Sequence, residues 1–160
     1  MRGEKDTHLA QNVEVEMDNY KLEIIVNGYC KSIVPAAEVE GEIAYSLDEL
    51  EPVDFEMNVM ASLKFLKSVV EIIEDLEDHL IFQGEYSLSL DNFFYSKRFD
   101  RYYLRYFEGD DIFLDFLGKL KPNDYLIDIE AEIKKKHPSN KQLLELIENK
   151  SQEAYHCELF

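Results

Sequence analysis

The sequence predicts an α+β fold: an antiparallel sheet with hairpins, packed against one long central helix and two C-terminal helices. Three observations carry that expectation. From Tyr86 to Leu117 the chain reads YSLSLDNFFYSKRFDRYYLRYFEGDDIFLDFL, its densest run of aromatic and β-favouring residues, with turn residues at workable intervals. From 56 to 80, apolar residues recur at steps of three and four, the period of an amphipathic helix. Between 20 and 34, two apolar runs flank Asn27-Gly28, a dipeptide that tolerates the two positive φ angles of a type I′ turn.

The length of 160 residues suits one domain spanning 1–160, long enough to bury a sizeable core, with 1–11 polar and frayed at the start. Val13, Val15 and Met17 alternate with acids, the period of a half-buried strand. The next expected unit is a hairpin of Tyr20–Val26 with Tyr29–Val34, in which Val26 faces Tyr29 and Ile24 faces Lys31. Pro35 ends it, a short strand follows at Glu42–Ser46, and Ser46–Asp54 is a loop interrupted by Pro52. The helix over 56–80 carries Leu63, Leu66, Val69, Val70, Ile73, Leu76 and Leu80 on its apolar side. Its polar side places Lys64 and Lys67 early and Glu71, Glu74, Asp75 and Asp78 late, against the polarity that the helix dipole favours.

Within the central stretch Tyr86, Leu88 and Leu90 alternate, Asn92–Tyr95 continues or begins a strand, and Ser96–Arg101 is a polar turn. Tyr102–Phe107 and Ile112–Leu117 then suggest a second hairpin around Gly109-Asp110-Asp111, with Arg105 opposite Asp115. Asn123 or Asp124 caps a helix whose apolar face is Tyr125, Leu126, Ile129 and Ile133, and Lys134, Lys135 and Lys136 lie in its last turn. Pro138 stops it. Ser139 and Gln142 have the spacing of a capping box for a final helix that buries Leu143, Leu144, Leu146 and Ile147, with an apolar tail from Ala154 docking on the domain.

Charge bounds the function. Thirty-four acids face 17 bases, a net of −17, which repels nucleic-acid phosphate and an anionic membrane surface. The charge is unevenly placed: from Ser32 to Ser96 the only Lys or Arg residues are Lys64 and Lys67, while fifteen acids fall between Glu38 and Asp91. Such runs are ordinarily solvated surface. The functional reading is an acidic face aimed at a basic partner, formed by Asp48, Glu49, Glu51, Asp54, Glu71, Glu74, Asp75 and Asp78. The start, MRGEKDTHLAQNVEVEM, lacks the apolar run of a signal peptide, and Cys30 and Cys157 read as two reduced thiols, so a cytoplasmic protein is expected. A bridge between the two cysteines stays open as an alternative.

No motif with catalytic or ligand-binding chemistry stands out. Asp75 and His79, at i and i+4, could hold a metal, but a structural site takes four ligands and no further His or Cys is near in sequence, so His79 is expected to be exposed or capping. His137 precedes Pro138 as a terminal cation, and adjacent His156 and Cys157 would point to opposite faces of an extended strand. Glu108, Asp110 and Asp111 lack the oxygen spacing of a calcium loop and have the composition of a tight turn. Lys97, Arg98, Arg101 and Arg105 interleave with Phe94, Tyr95, Phe99, Tyr102 and Tyr103; the expected role is to neutralise the acidic helix and stack on tyrosines, with an interaction hot spot as the alternative. No cofactor and no metal are expected.

In size, acidity and α+β order the whole chain resembles the small acidic immunity proteins of bacterial toxin systems. That resemblance implies a cytosolic, non-enzymatic protein which binds a cognate toxin and blocks its active site; no residue is transferred by it. The charge makes a basic toxin the expected partner, and the protein is expected to be a monomer or homodimer. Two alternatives differ in class. One is a small carboxylate-based or metal-dependent hydrolase, or a phosphotransfer protein, which needs a concave pocket of convergent acids. The other is a homo-oligomeric structural domain, which needs a large uncovered apolar patch.

Overall fold

A computed structural model describes residues 19–54 and 56–159. The α+β class holds: the described chain contains five α-helices and two small antiparallel sheets. The strand expected at Val13–Met17 lies outside the described residues.

The first hairpin is a correction. Asn19–Val26 is a helix, α1, and Ile24 and Ile25 are both buried, which a period of two forbids. Gly28 has a φ of 68°, but it serves as a helix C-cap: the Tyr29 N–H donates to the Ile24 carbonyl at 3.3 Å, the six-to-one bond of a Schellman ending. The two-residue hairpin turn occurs instead at Glu40-Gly41, with φ of 52° and 81°, joining β1 (Ala36–Val39) to β2 (Glu42–Tyr45). The short strand expected after Gly41 is β2.

The second sheet is smaller than the aromatic run suggests. Its order is β3 (Glu51–Pro52), β4 (Phe93–Ser96), β5 (Arg101–Leu104), all antiparallel. Pro52 is tolerated because β3 is an edge. The polar turn at Ser96–Arg101 forms as expected, pairing Ser96 with Arg101 and Phe93 with Leu104. The hairpin expected around Gly109 does not form. Phe113–Leu117 is a helix, α3, burying Phe113, Phe116 and Leu117 at i, i+3 and i+4 and leaving Asp115 exposed. Arg105 therefore has no Asp115 partner; its guanidinium lies 5.2 Å from the Phe94 ring centre and 5.0 Å from that of Phe107. The chain around Gly109 runs instead beside Ser87, whose N–H donates to the Phe107 carbonyl at 2.8 Å. A Cβ on Gly109 would sit 2.8 Å from the Ser87 Cα, so only glycine permits this approach.

The long helix, α2, spans Val59–Asp78. Leu63, Leu66, Val69, Val70, Ile73 and Leu76 are buried as expected, joined by Phe65 and Ile72. Leu80 departs from the expected stripe. It lies past the helix end, 65% exposed, with a φ of 62°, and the Ile81 N–H closes back on the Leu76 carbonyl. Phe65 joins helix to sheet, with its ring edge-on to Phe93 and Tyr102 at 5.3 and 5.0 Å and to Phe116 at 6.0 Å. Asn58 caps α2, its side-chain oxygen accepting the Ala61 N–H at 2.8 Å. Because Asn58 is exposed, Asn58→Ala removes the cap without disturbing packing. It is expected to lower stability by about 1 kcal/mol, read as a drop in Tm of about 2–4 °C, with Asn58→Asp close to wild type.

The C-terminal half matches its local signals. Helix α4 spans Asp124–Lys136 and is capped by the Asn123 side chain, which accepts the Leu126 N–H at 3.0 Å. Helix α5 spans Asn140–Leu159 and opens on a reciprocal capping box: the Gln142 N–H donates to Ser139 Oγ at 3.2 Å, and the Ser139 N–H to Gln142 Oε1 at 2.9 Å. At 20 residues α5 equals α2 in length, and it packs along it. The tail from Ala154 continues this helix and buries Ala154. Among the described residues no helix is long and apolar enough to cross a membrane.

Candidate functional site

The eight acids proposed from the sequence separate into two groups. Those on the loop before α2 lie beside the tip of the β4–β5 hairpin, where Arg98 meets Glu49 at 3.5 Å and Lys97 meets Glu51 at 3.3 Å. Asp54 accepts the Glu56 N–H at 2.9 Å, a local turn contact, and Asp48 lines a small cleft with Phe99 and Tyr103. Within the basic cluster Lys97 and Arg98 thus pair with the acidic loop, where the expectation was neutralisation of the acidic helix. Its stacking is on Phe99 by Arg98, on Tyr103 by Arg101, and on two phenylalanines by Arg105.

The helix acids are differently placed. Glu71, Glu74 and Asp78 share one stripe of α2 with Lys67, by steps of four, three and four. Lys67 and Glu74 line an open groove of about 730 Å³ between α2 and α5, opposite Lys141, Glu145 and Glu148. Glu145 and Glu148 escaped the sequence reading because they sit 71 and 74 residues beyond Glu74, on a helix taken only for its apolar side. The groove is mixed, three carboxylates with two lysines, and Glu71 and Asp78, which have no ion pair among the described residues, extend its negative edge along α2.

A second cavity, about 640 Å³, lies between the start of α2 and the start of α4. The one acid in its lining is Glu56, 3.4 Å from Lys121, with Met57, Val59, Leu90, Leu120 and Pro122 making much of the wall. It does not gather the convergent carboxylates that acid–base chemistry needs.

Asp75 belongs to neither group. It turns toward the loop after α1, where its Oδ2 accepts the Ser32 N–H at 3.2 Å and lies 3.4 Å from Cys30 Sγ. His79, one turn on, holds Nδ1 2.7 Å from the Asp75 carbonyl oxygen and 3.6 Å from Oδ1. The cap expected of His79 is present, but so is a third donor the sequence did not reveal. One ligand atom each from Cys30, Asp75 and His79 lie within 4.8 Å of one another. As a nucleophile Cys30 is poorly placed: burial first, then the charge of Asp75, pushes its thiol up to about 12.

Other sequence candidates have local explanations. Asp111 Oδ2 accepts the Leu88 N–H at 2.8 Å and the Ser87 hydroxyl at 3.3 Å, so the acidic turn fixes the 84–88 segment. His137 is the left-handed C-cap of α4. His156 and Cys157 are exposed on α5, not on an extended strand; Cys157 lies 3.5 Å from the Tyr125 hydroxyl, while Cys30 is buried beside Asp75.

No protein family, curated protein or solved structure matches the chain.

Proposed function

We propose that this protein is a non-enzymatic acidic binding module that docks a basic protein, in the manner of an immunity protein neutralising a toxin. The observation that supports the reading is the α2 stripe: Glu71, Glu74 and Asp78 face solvent or the groove with no ion pair to any described cation, while Glu49 and Glu51 are already paired. Free carboxylates on one rigid helix present a fixed negative edge, which speeds encounter with a cationic surface and sets its orientation. Glu145 and Glu148 on the facing helix give the edge a second side. The lining of the 640 Å³ cavity supports binding over carboxylate-based hydrolysis, for which it supplies one ion-paired acid.

The docking surface is therefore centred on α2 and α5, with Asp48, Glu49, Glu51 and Asp54 contributing little. The test uses a panel of basic nuclease toxins, with binding and loss of nuclease activity as paired readouts. Association is expected to weaken steeply from low to high salt. Reversing Glu71, Glu74 and Asp78 to lysine is expected to cost on the order of 100-fold in affinity, about 2.7 kcal/mol. Neutralising Glu49 and Glu51 to glutamine should change it less than about threefold, as paired exposed charges do. Salt-independent binding, or a larger loss from the loop pair than from the helix triple, removes the proposal.

A further inference from the structure

We propose that Cys30, Asp75 and His79 form a binding site for a divalent transition-metal ion of the zinc type, with three protein ligands and water completing the shell. One donor atom from each residue lies within 4.8 Å of the other two, so small side-chain rotations suffice to converge them. The donors come from two segments already held in place. Ser32, in the loop after α1, donates its N–H to Asp75 at 3.2 Å, and the Tyr20 hydroxyl donates to the His79 carbonyl at 2.7 Å.

The donor chemistry selects the ion. A thiolate with an imidazole and a carboxylate suits zinc and its neighbours, whereas magnesium and calcium take oxygen ligands. The surroundings favour a cation as well. The site lies at the C-terminal end of α2, the negative end of the helix dipole, with the Asp75 carboxylate acting on Cys30 more strongly than the Arg101 charge. No described Lys or Arg forms an ion pair with Asp75. Access is one-sided: Cys30 is 2% exposed and forms the floor, while the side chains of Asp75 and His79, 28% and 25% exposed, open to solvent. His79 Nδ1 lies 2.7 Å from the Asp75 carbonyl oxygen and 3.6 Å from Asp75 Oδ1, which holds the imidazole beside the carboxylate.

The ordinary account takes these contacts pairwise, a thiol donating to a carboxylate and an imidazole capping a helix. It explains each distance but not the meeting of three different metal donors at one half-open point. The inference does not depend on the proposed docking role.

The test is titration of the metal-stripped full-length protein, with zinc chloride followed by calorimetry and cobalt chloride followed by absorption. One ion per chain is expected, with an ultraviolet thiolate-to-cobalt charge-transfer band. His79→Gln and Asp75→Asn, both at half-exposed positions, should each weaken zinc binding about 10–100-fold while circular dichroism shows the fold retained. Cys30→Ser should abolish the cobalt band. Should that variant misfold, the two half-exposed variants decide the matter alone. A double change of His156→Gln with Cys157→Ser should leave binding intact. Equal zinc affinity in wild type and His79→Gln, a band lost with the Cys157 variant, or only weak multi-site binding along the acids would each overturn the site.

Discussion

Phe65→Ala is expected to lower the unfolding free energy by about 3–5 kcal/mol, the range for emptying a large aromatic site in a core. The size follows from where the ring sits. Phe65 is fully buried and is the point at which α2, the β4–β5 hairpin and α3 meet, in edge-on contact with Phe93, Tyr102 and Phe116. Its loss removes apolar burial and three aromatic contacts, each of about 0.5–1.5 kcal/mol, and leaves a cavity bounded by three elements that cannot all close on it. A domain of ordinary stability has about 5–15 kcal/mol in total, so the variant should be marginal, with Tm lowered on the order of 10 °C. Phe65→Leu keeps much of the volume and should cost about 1–2 kcal/mol. Urea denaturation checks both; equal midpoints for wild type and Phe65→Ala would place the joint between helix and sheet elsewhere.

What the sequence disclosed, and what it did not, divides by range. The caps at Asn123 and Ser139 were legible because each is decided by three or four neighbouring residues, and the bonds form as those residues dictate. The α2 apolar stripe was legible for the same reason. Asn27-Gly28 misled because positive φ is shared by two motifs: the same Gly that suits a type I′ turn suits a helix C-cap, and buried Ile24 beside buried Ile25 decides for the helix. Glu40-Gly41 made the real turn with a less typical first residue. The 112–117 segment misled through composition: its aromatic residues suit strands, but Phe113, Phe116 and Leu117 have helical spacing. The site was least legible. Cys30 is 45 residues from Asp75, and the Arg98–Glu49 pair joins residues 49 apart, so neither leaves a trace in local pattern.

Raising the pH is expected to unfold the protein cooperatively above about pH 10, well before the mildest of its buried phenols would ionise in place. Burial is the largest cause raising Tyr45, Tyr86 and Tyr106 above the ordinary tyrosine value of 10.0. Tyr86 and Tyr106 are fully buried, their rings 5.8 Å apart, and their hydroxyls have no hydrogen-bond partner among the described residues; the Tyr45 hydroxyl donates to the Tyr106 carbonyl. The folded state thus keeps phenolic protons that the unfolded chain releases. Below pH 10 both states hold them and stability is unaffected; above pH 10 the folded state holds more, so stability falls as pH rises, by roughly 1.4 kcal/mol per pH unit for each group. Absorbance of tyrosinate should therefore appear in two stages, a reversible fraction with far-ultraviolet circular dichroism intact, then the remainder together with its loss. Tyr106→Phe deletes a hydroxyl that no described neighbour satisfies, so it should be neutral or stabilising by about 1 kcal/mol at neutral pH and should move the alkaline transition upward. A downward move, or complete phenol ionisation with the dichroism unchanged, would mean that water reaches these rings and that the core between α2 and the 84–88 segment opens without unfolding.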